Sequence, residues 1–314
     1  MNLFGTVLTY TAPSANYRGE SAENRAVIQK IARGRFEYPI ISPEAIRNAL
    51  RETMHTLGLP CNRERLHDEE QLAVCFQDYP DAEQYADDFF MGWLVAAGKK
   101  DRESILKELG AKGRHTEAFT FKRDSVLRTN LAVALEPYRY DSVFTQSPQD
   151  ATPRDKKGHV NVENSQLLHR EVAFTPFQYP FALNLNDCRG KQEWTKTLLK
   201  AIGQLNDVAG NQARSYFEMA PASIMIRLTP MLVAGYETYG FKIDETGKHT
   251  FPEIITGILQ KDYPGREFYI AGRIVKDMPE DLVTKLKEYE TTLDRNPQKL
   301  LDTVSEKMFG NSGE

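Results

Sequence analysis

Leu3 to Thr11 alternates, with Leu3 and Val7 on one face and Phe4, Leu8 and Tyr10 on the other, which predicts a strand. Ala12 to Gly19 has loop composition, and Glu23 to Ala32 predicts a short helix ending at Gly34. The clearest element begins at Ser42-Pro43-Glu44. Serine is a good N-cap, proline suits the first helical position, and a carboxylate favours the positive end of the helix dipole. Ile46, Ala49, Leu50 and Leu57 supply its buried stripe, and Gly58-Leu59-Pro60 ends it. Residues 61 to 113 read as mostly helical, an insertion between elements of a core. Phe119 to Thr129 reads as a strand or a loop.

Tyr140 to His169 is the least regular stretch, and a connection of that length is functional or disordered. Phe174 to Leu185 is strand-like, and Pro176 and Pro180 place it at a sheet edge or a bulge. Trp194 to Asp207 predicts a helix, Ser223 to Thr229 and Arg266 to Val275 predict strands, and Pro279 to Met308 predicts one or two closing helices. Strands and helices alternate irregularly around two insertions, which points to an α+β fold rather than a doubly wound parallel sheet.

The 314 residues are 40% hydrophobic and 27% charged, ordinary for a globular chain. No apolar run reaches membrane-spanning length, and Met1 to Val7 does not read as a secretion signal. Cys61, Cys75 and Cys188 are scattered, suggest neither a disulfide framework nor a zinc site, and fit a reducing cytoplasm. Phosphate-cradling glycine loops, paired zinc ligands and the nucleophile-elbow pattern are all missing from the sequence. His67-Asp68 lacks the further ligands that a metal phosphohydrolase needs, so neither metal nor cofactor is expected.

Net charge is −4, which for the whole chain disfavours a nucleic-acid binder, yet the charge is segregated. Arg18 to Arg51 holds seven bases against four acids. Cys61 to Met91 holds two against nine, and Lys99 to Arg128 nine against five. These are either solvated faces of alternating sign or one basic and one acidic surface. In the second reading the acidic surface, with Asp87 and Asp88, meets a basic neighbour. The candidate polyanion contacts fall in three segments: Asn16, Arg18, Arg25, Lys30 and Arg35; then Ser42, Arg47, Asn48 and Arg51; then Asn211, Gln212, Arg214 and Ser215. Arg47 and Arg51 lie one helical turn apart, a spacing that suits successive phosphates. Gly210 to Ser215 offers backbone N–H groups and a guanidinium to phosphates or a 2′-hydroxyl.

In order, Phe4-Gly5-Thr6-Val7-Leu8-Thr9, Ser14-Ala15-Asn16 and Tyr38-Pro39-Ile40-Ile41-Ser42-Pro43-Glu44-Ala45-Ile46-Arg47-Asn48-Ala49-Leu50-Arg51 resemble the N-terminal signature of the DevR-type backbone (Cas seven) subunit of type I CRISPR Cascade complexes. The subtype suggested is I-B, within the repeat-associated mysterious protein superfamily. Ala213-Arg214-Ser215 with Ala220 to Ile224 resembles the family's later loop and strand. The resemblance implies a modified RRM-like, ferredoxin-like palm in residues 1–60, 116–139 and 170–314, the last with C-terminal helices. It also implies helical fingers at 61–115 and a protruding thumb hairpin at 140–169. The thumb, matched by position, would carry Phe144, Gln146, Lys156, Lys157 and His169. Such a subunit polymerises along the guide crRNA and leaves its bases free to pair with target DNA. Its partners are further copies of itself and other Cascade subunits, with no membrane, and it does not cut. The alternatives are an RNA-processing endonuclease of the same superfamily, with Tyr17 or His169 as base, a nucleic-acid-binding regulator, or an unrelated small-molecule enzyme.

Overall fold

A computed structural model describes residues 1–14, 16–22, 25–67, 72–114, 119–146, 167–208 and 216–309. The chain starts with β1 (Asn2–Thr9), β2 (Ala12–Ser14), β3 (Tyr17–Ala22), β4 (Arg25–Ile28), β5 (Lys30–Arg33), β6 (Phe36–Ile41) and α1 (Pro43–Thr56). An insertion carries β7 (Arg63–His67), β8 (Leu72–Phe76), α2 (Ala86–Met91), β9 (Trp93–Leu94), α3 (Lys99–Ala111) and β10 (Lys122–Arg123). Next come β11 (Leu127–Thr129), β12 (Ala132–Ala134), β13 (Ser142–Gln146), β14 (Leu167–Glu171), β15 (Ala173–Thr175), β16 (Phe177–Asn184) and α4 (Gln192–Gly203). The last third holds β17 (Pro221–Thr229), β18 (Lys242–Ile243), β19 (His249–Thr250), α5 (Pro252–Leu259), β20 (Phe268–Gly272), α6 (Arg273–Asp277), α7 (Glu280–Glu288), β21 (Thr292–Asp294) and α8 (Pro297–Lys307).

The fold is α+β, built on a nine-stranded sheet ordered β21-β20-β17-β1-β16-β12-β6-β5, with β11 also on β16. The period-two pattern explains its two cores. Leu3, Val7, Ile224, Ile226 and Tyr269 point into one core with α1, α4 and α8. Leu8, Met225, Phe268 and Ile270 point into the other with α5, α6 and α7. Every residue of β17 is buried, because helices cover both of its faces. Among the described residues no helix is long and apolar enough to cross a membrane.

Several expectations change. Residues 25–33 form strands β4 and β5, not a helix. Arg25 and Ala26 pair with β14, Ile28 with Tyr17 of β3 and Ile31 with Tyr38 of β6, and Gly34 (φ 63°) turns a hairpin instead of capping a helix. The expected loop at 12–19 contains β2 and the start of β3. The insertion is only partly helical, because Arg63–His67 and Leu72–Phe76 form a hairpin. Strand β16 is not at an edge: it pairs with β1 on one side and with β11 and β12 on the other. Pro180 is tolerated because it lies opposite the break between β11 and β12, where its carbonyl accepts from Asn130 N at 3.4 Å and no N–H is required. Arg266 to Val275 splits into β20 and α6.

Ser223 Oγ accepts from Ile274 N at 2.9 Å and lies 2.8 Å from His249 Nδ1, a contact whose direction follows the imidazole tautomer. Burial first, then Arg273, pushes the His249 pKa down to about 4 from 6.5, while Asp277 opposes the shift. A lowered folded pKa means that the unfolded chain binds the proton more readily. Stability is therefore expected to hold above pH 6.5 and to fall as pH drops from there towards about 4. Urea midpoints for the protein and for His249→Gln check this. The variant should lose part of the acid sensitivity, and an unchanged slope would remove His249 as its source.

Candidate nucleic-acid interface

Helix α1 forms as its cap chemistry dictates: Ser42 Oγ accepts from Ala45 N at 3.2 Å, and Pro43 opens the first turn. Its basic face, however, turns inward. Arg51 is buried with Nε 3.1 Å from Asp87 Oδ2, a charge contact whose N–H is not aligned for a hydrogen bond. Its other nitrogens donate to Asn48 Oδ1 at 2.9 Å and to the Met91 sulfur at 3.4 Å. Arg47 donates to the Met91 carbonyl and, at 2.8 Å, to Ser125 Oγ. Burial, and then the nearby Arg63, pushes both guanidinium pKa values below the ordinary range. Arg47 and Arg51 thus fasten α1 to the insertion, and Asn48 braces Arg51 from within the helix. The expectation that Arg51 tracks phosphates is corrected, because its charge is spent on a buried partner.

The acidic surface is corrected in the same place. Asp87 and Asp88 are fully buried, not exposed to a neighbour. Asp87 accepts from Asn62 N at 2.7 Å and from Arg63 N at 3.1 Å. Asp88 accepts from Asn62 Nδ2 at 2.8 Å and from Arg63 Nη2 at 3.0 Å, and burial pushes its pKa up. Two arginines and two aspartates therefore offset one another in the interior, where an unpaired charge is costly.

Other expected contacts are also satisfied internally. Asn16 is buried, donates to Ile40 O at 3.3 Å and accepts from Gln29 N. Lys30 lies 3.4 Å from Glu171 and 4.1 Å from the Tyr138 ring centroid. Glu171 also accepts from Ile28 N at 3.3 Å, which ties the β13–β14 hairpin to the β4–β5 ribbon. Burial, followed by Glu171, pushes the Tyr138 pKa up to about 12. Arg18 and Arg25 lie on strands β3 and β4. Lys156, Lys157, Asn211, Gln212, Arg214 and Ser215 lie outside the described residues.

Bases and rings stay open to solvent in two places, one on each of two sheets. At the β5–β6 turn Arg33 and Arg35 are exposed, and the Arg35 guanidinium sits 5.0 Å from the ring of the exposed Phe36. Along β13 and β14, Phe144 faces His169 across the strands, edge-on with centroids 5.4 Å apart, and both are exposed. Gln146 ends β13. Guanidinium groups beside accessible rings suit a single-stranded polyanion, with charge for phosphates and faces for bases. Arg33 was missed in the sequence because a helix there would have separated it from Arg35. Two consecutive strands joined by Gly34 would have revealed it.

A groove of about 950 Å³ opens beside the β5–β6 turn, lined by Ile31, Arg33, Tyr38, Val133, Gln178 and Tyr239 among others. Among the described residues no group of three or more His, Cys, Asp or Glu is placed to hold a metal ion.

No family model matches the chain. A CRISPR-associated protein Cas7/Cst2/DevR from Myxococcus xanthus (strain DK1622) is 27% identical over 288 residues, covering 88% of each chain. Among solved structures, a chain of a CRISPR RNA-guided surveillance complex in a pre-nicking state superposes with a TM-score of 0.55 at 13% identity, covering 97% of this chain and 99% of that one. A chain of another CRISPR RNA-guided surveillance complex gives 0.53 at 13% identity, covering 97% and 98%. The likeness thus extends along nearly the whole chain, which is similar in sequence to a Cas7/Cst2/DevR protein and has the fold of chains found in CRISPR RNA-guided surveillance complexes.

Proposed function

We propose that this chain is a backbone subunit of a type I CRISPR Cascade effector complex, of subtype I-B, acting in the cytoplasm. Several copies bind along one guide crRNA, beside other Cascade subunits, and hold it for pairing with target DNA without cutting. The observation that carries this reading is the end-to-end likeness: the match covers almost all of both chains, as for an equivalent subunit rather than a shared module. In this reading the nine-stranded sheet and its helices are an RRM-like palm, residues 61–115 are the fingers, and the β13–β14 hairpin is the base of a thumb. The ribbon from Arg33 to Phe36, with Phe144 and His169, lies along the guide.

Purified protein is expected to carry RNA and, on RNA of defined length, to form particles of several copies. Arg33→Ala with Arg35→Ala should flatten the salt dependence of binding by about two phosphate contacts, roughly 1.4 in the slope of log K against log salt for single strands. An unchanged slope would take this turn out of the RNA path. Specific cleavage of repeat RNA that disappears in His169→Ala would favour the endonuclease reading instead.

A further inference from the structure

Leu3, Leu127 and Leu183 enter the first core, so their strand neighbours Phe4, Arg128 and Ala182 share the opposite face of the sheet. They form one row across it, because Phe4 pairs with Ala182 and Ala182 with Arg128. A shallow slot of about 260 Å³ lies over that row, with Phe4, Pro180 and Ala182 as its apolar lining. Its surroundings are fixed by hydrogen bonds. Thr6 Oγ1 donates to Thr238 O at 3.1 Å and Tyr239 Oη to Leu131 O at 2.8 Å, so residues 238–239 strap the loop after β17 across the sheet. Asn130 N donates to Pro180 O at 3.4 Å. A slot held this way is pre-organised, because little freedom is left to lose on contact.

Arg128 is the one charged residue among the nine that line the slot. It is exposed, and no acid pairs with it among the described residues. Asn130 Oδ1 accepts from Leu131 N at 2.8 Å, which leaves its Nδ2 hydrogens for a ligand. Glu237, next in the chain to Thr238, lines the larger groove beyond the strap instead. An apolar floor with a ring, and donors without a carboxylate at the rim, selects a flat ligand that carries acceptors and negative charge. A nucleotide brings both in one unit. A single unmodified amino-acid side chain brings a ring or an anion, not the two together.

We infer that this slot holds one nucleotide of the bound RNA, its base against Phe4 and Pro180 and its phosphate on Arg128. The inference rests on the RNA-binding reading above and adds a base contact on the main sheet, apart from the β5–β6 turn. Strand β16 is three strand spacings from β5, roughly 15 Å, so an RNA held at the turn reaches the slot within a few nucleotides.

The test uses the full-length protein and oligouridine RNA in which iodouridine replaces one residue, irradiated and mapped by mass spectrometry. A cross-link at Phe4 is expected, and it should fade in Ala182→Leu, which fills the slot from its floor. Stacking of one base is worth about 5- to 100-fold in affinity, so Ala182→Leu should weaken binding about 5-fold or more and leave its salt slope alone. Arg128→Ala should lower the slope of log K against log salt by about 0.7, the value for one phosphate of a single strand. Arg128 is exposed, so this variant reports on the slot even where Ala182→Leu fails to fold. Parent protein that binds the RNA without a Phe4 cross-link, with the salt slope unchanged in Arg128→Ala, overturns the slot and leaves the proposed function standing. A Phe4 cross-link that forms only when the halogenated base is moved to a complementary DNA strand also overturns it. Parent protein that binds no RNA overturns both.

Discussion

Asp87→Ala is expected to lower the unfolding free energy by about 3–5 kcal/mol, because it leaves Arg51 and Arg63 buried without their shared partner. The same carboxylate accepts from Asn62 N and Arg63 N, so two backbone donors are orphaned as well. Adding Arg51→Met to Asp87→Ala should recover a large part of the loss, since the uncompensated charge goes with it. Denaturant midpoints for the two single variants and the double variant measure the coupling directly. Strict additivity would mean that the Arg51–Asp87 contact contributes nothing. Loss of RNA binding in Asp87→Ala would follow loss of fold, so binding is compared only where circular dichroism matches the parent.

Gly272→Ala should cost about 3 kcal/mol or more, from two causes acting together. Gly272 has φ 99°, where an L side chain is strained. A Cβ there would also lie 2.1 Å from the Ala222 carbonyl oxygen, backbone of the neighbouring strand that cannot swing aside as a side chain would. Ser223 pairs with Gly272 in the β17–β20 ladder, so relief requires opening the sheet between its two best-covered strands. A soluble variant with a parental melting temperature would refute this account.

What was legible in the sequence was local. Helix α1 could be placed from Ser42, Pro43 and the apolar spacing after them, because a cap and a stripe depend on neighbours within one or two turns. The destination of Arg47 and Arg51 was not legible, since Asp87, Met91 and Ser125 come from distant segments and an outward basic face has the same spacing. Residues 25–33 were misread for a related reason. Val27, Ile28 and Ile31 fit either period, and the choice belongs to partners in β3, β6 and β14. Pro180 suggested an edge because a sheet interior normally demands the missing N–H. Only the break between β11 and β12 removes that demand. The candidate site was legible as a region, from its bases and its place in the resemblance, but Arg35 was named there without Arg33.

The place of β1 in the sheet also bears on how the protein is made. Strand β1 lies between β16 and β17, so its backbone has no ladder partner until residues 177–184 and 221–229 have been synthesised. At typical elongation rates of about 5–20 residues per second, that is a wait of roughly 10–45 s with an apolar strand unpaired. Nascent chains stalled before residue 221 should therefore depend on chaperones and resist independent folding, whereas synthesis past residue 229 lets the centre of the sheet close.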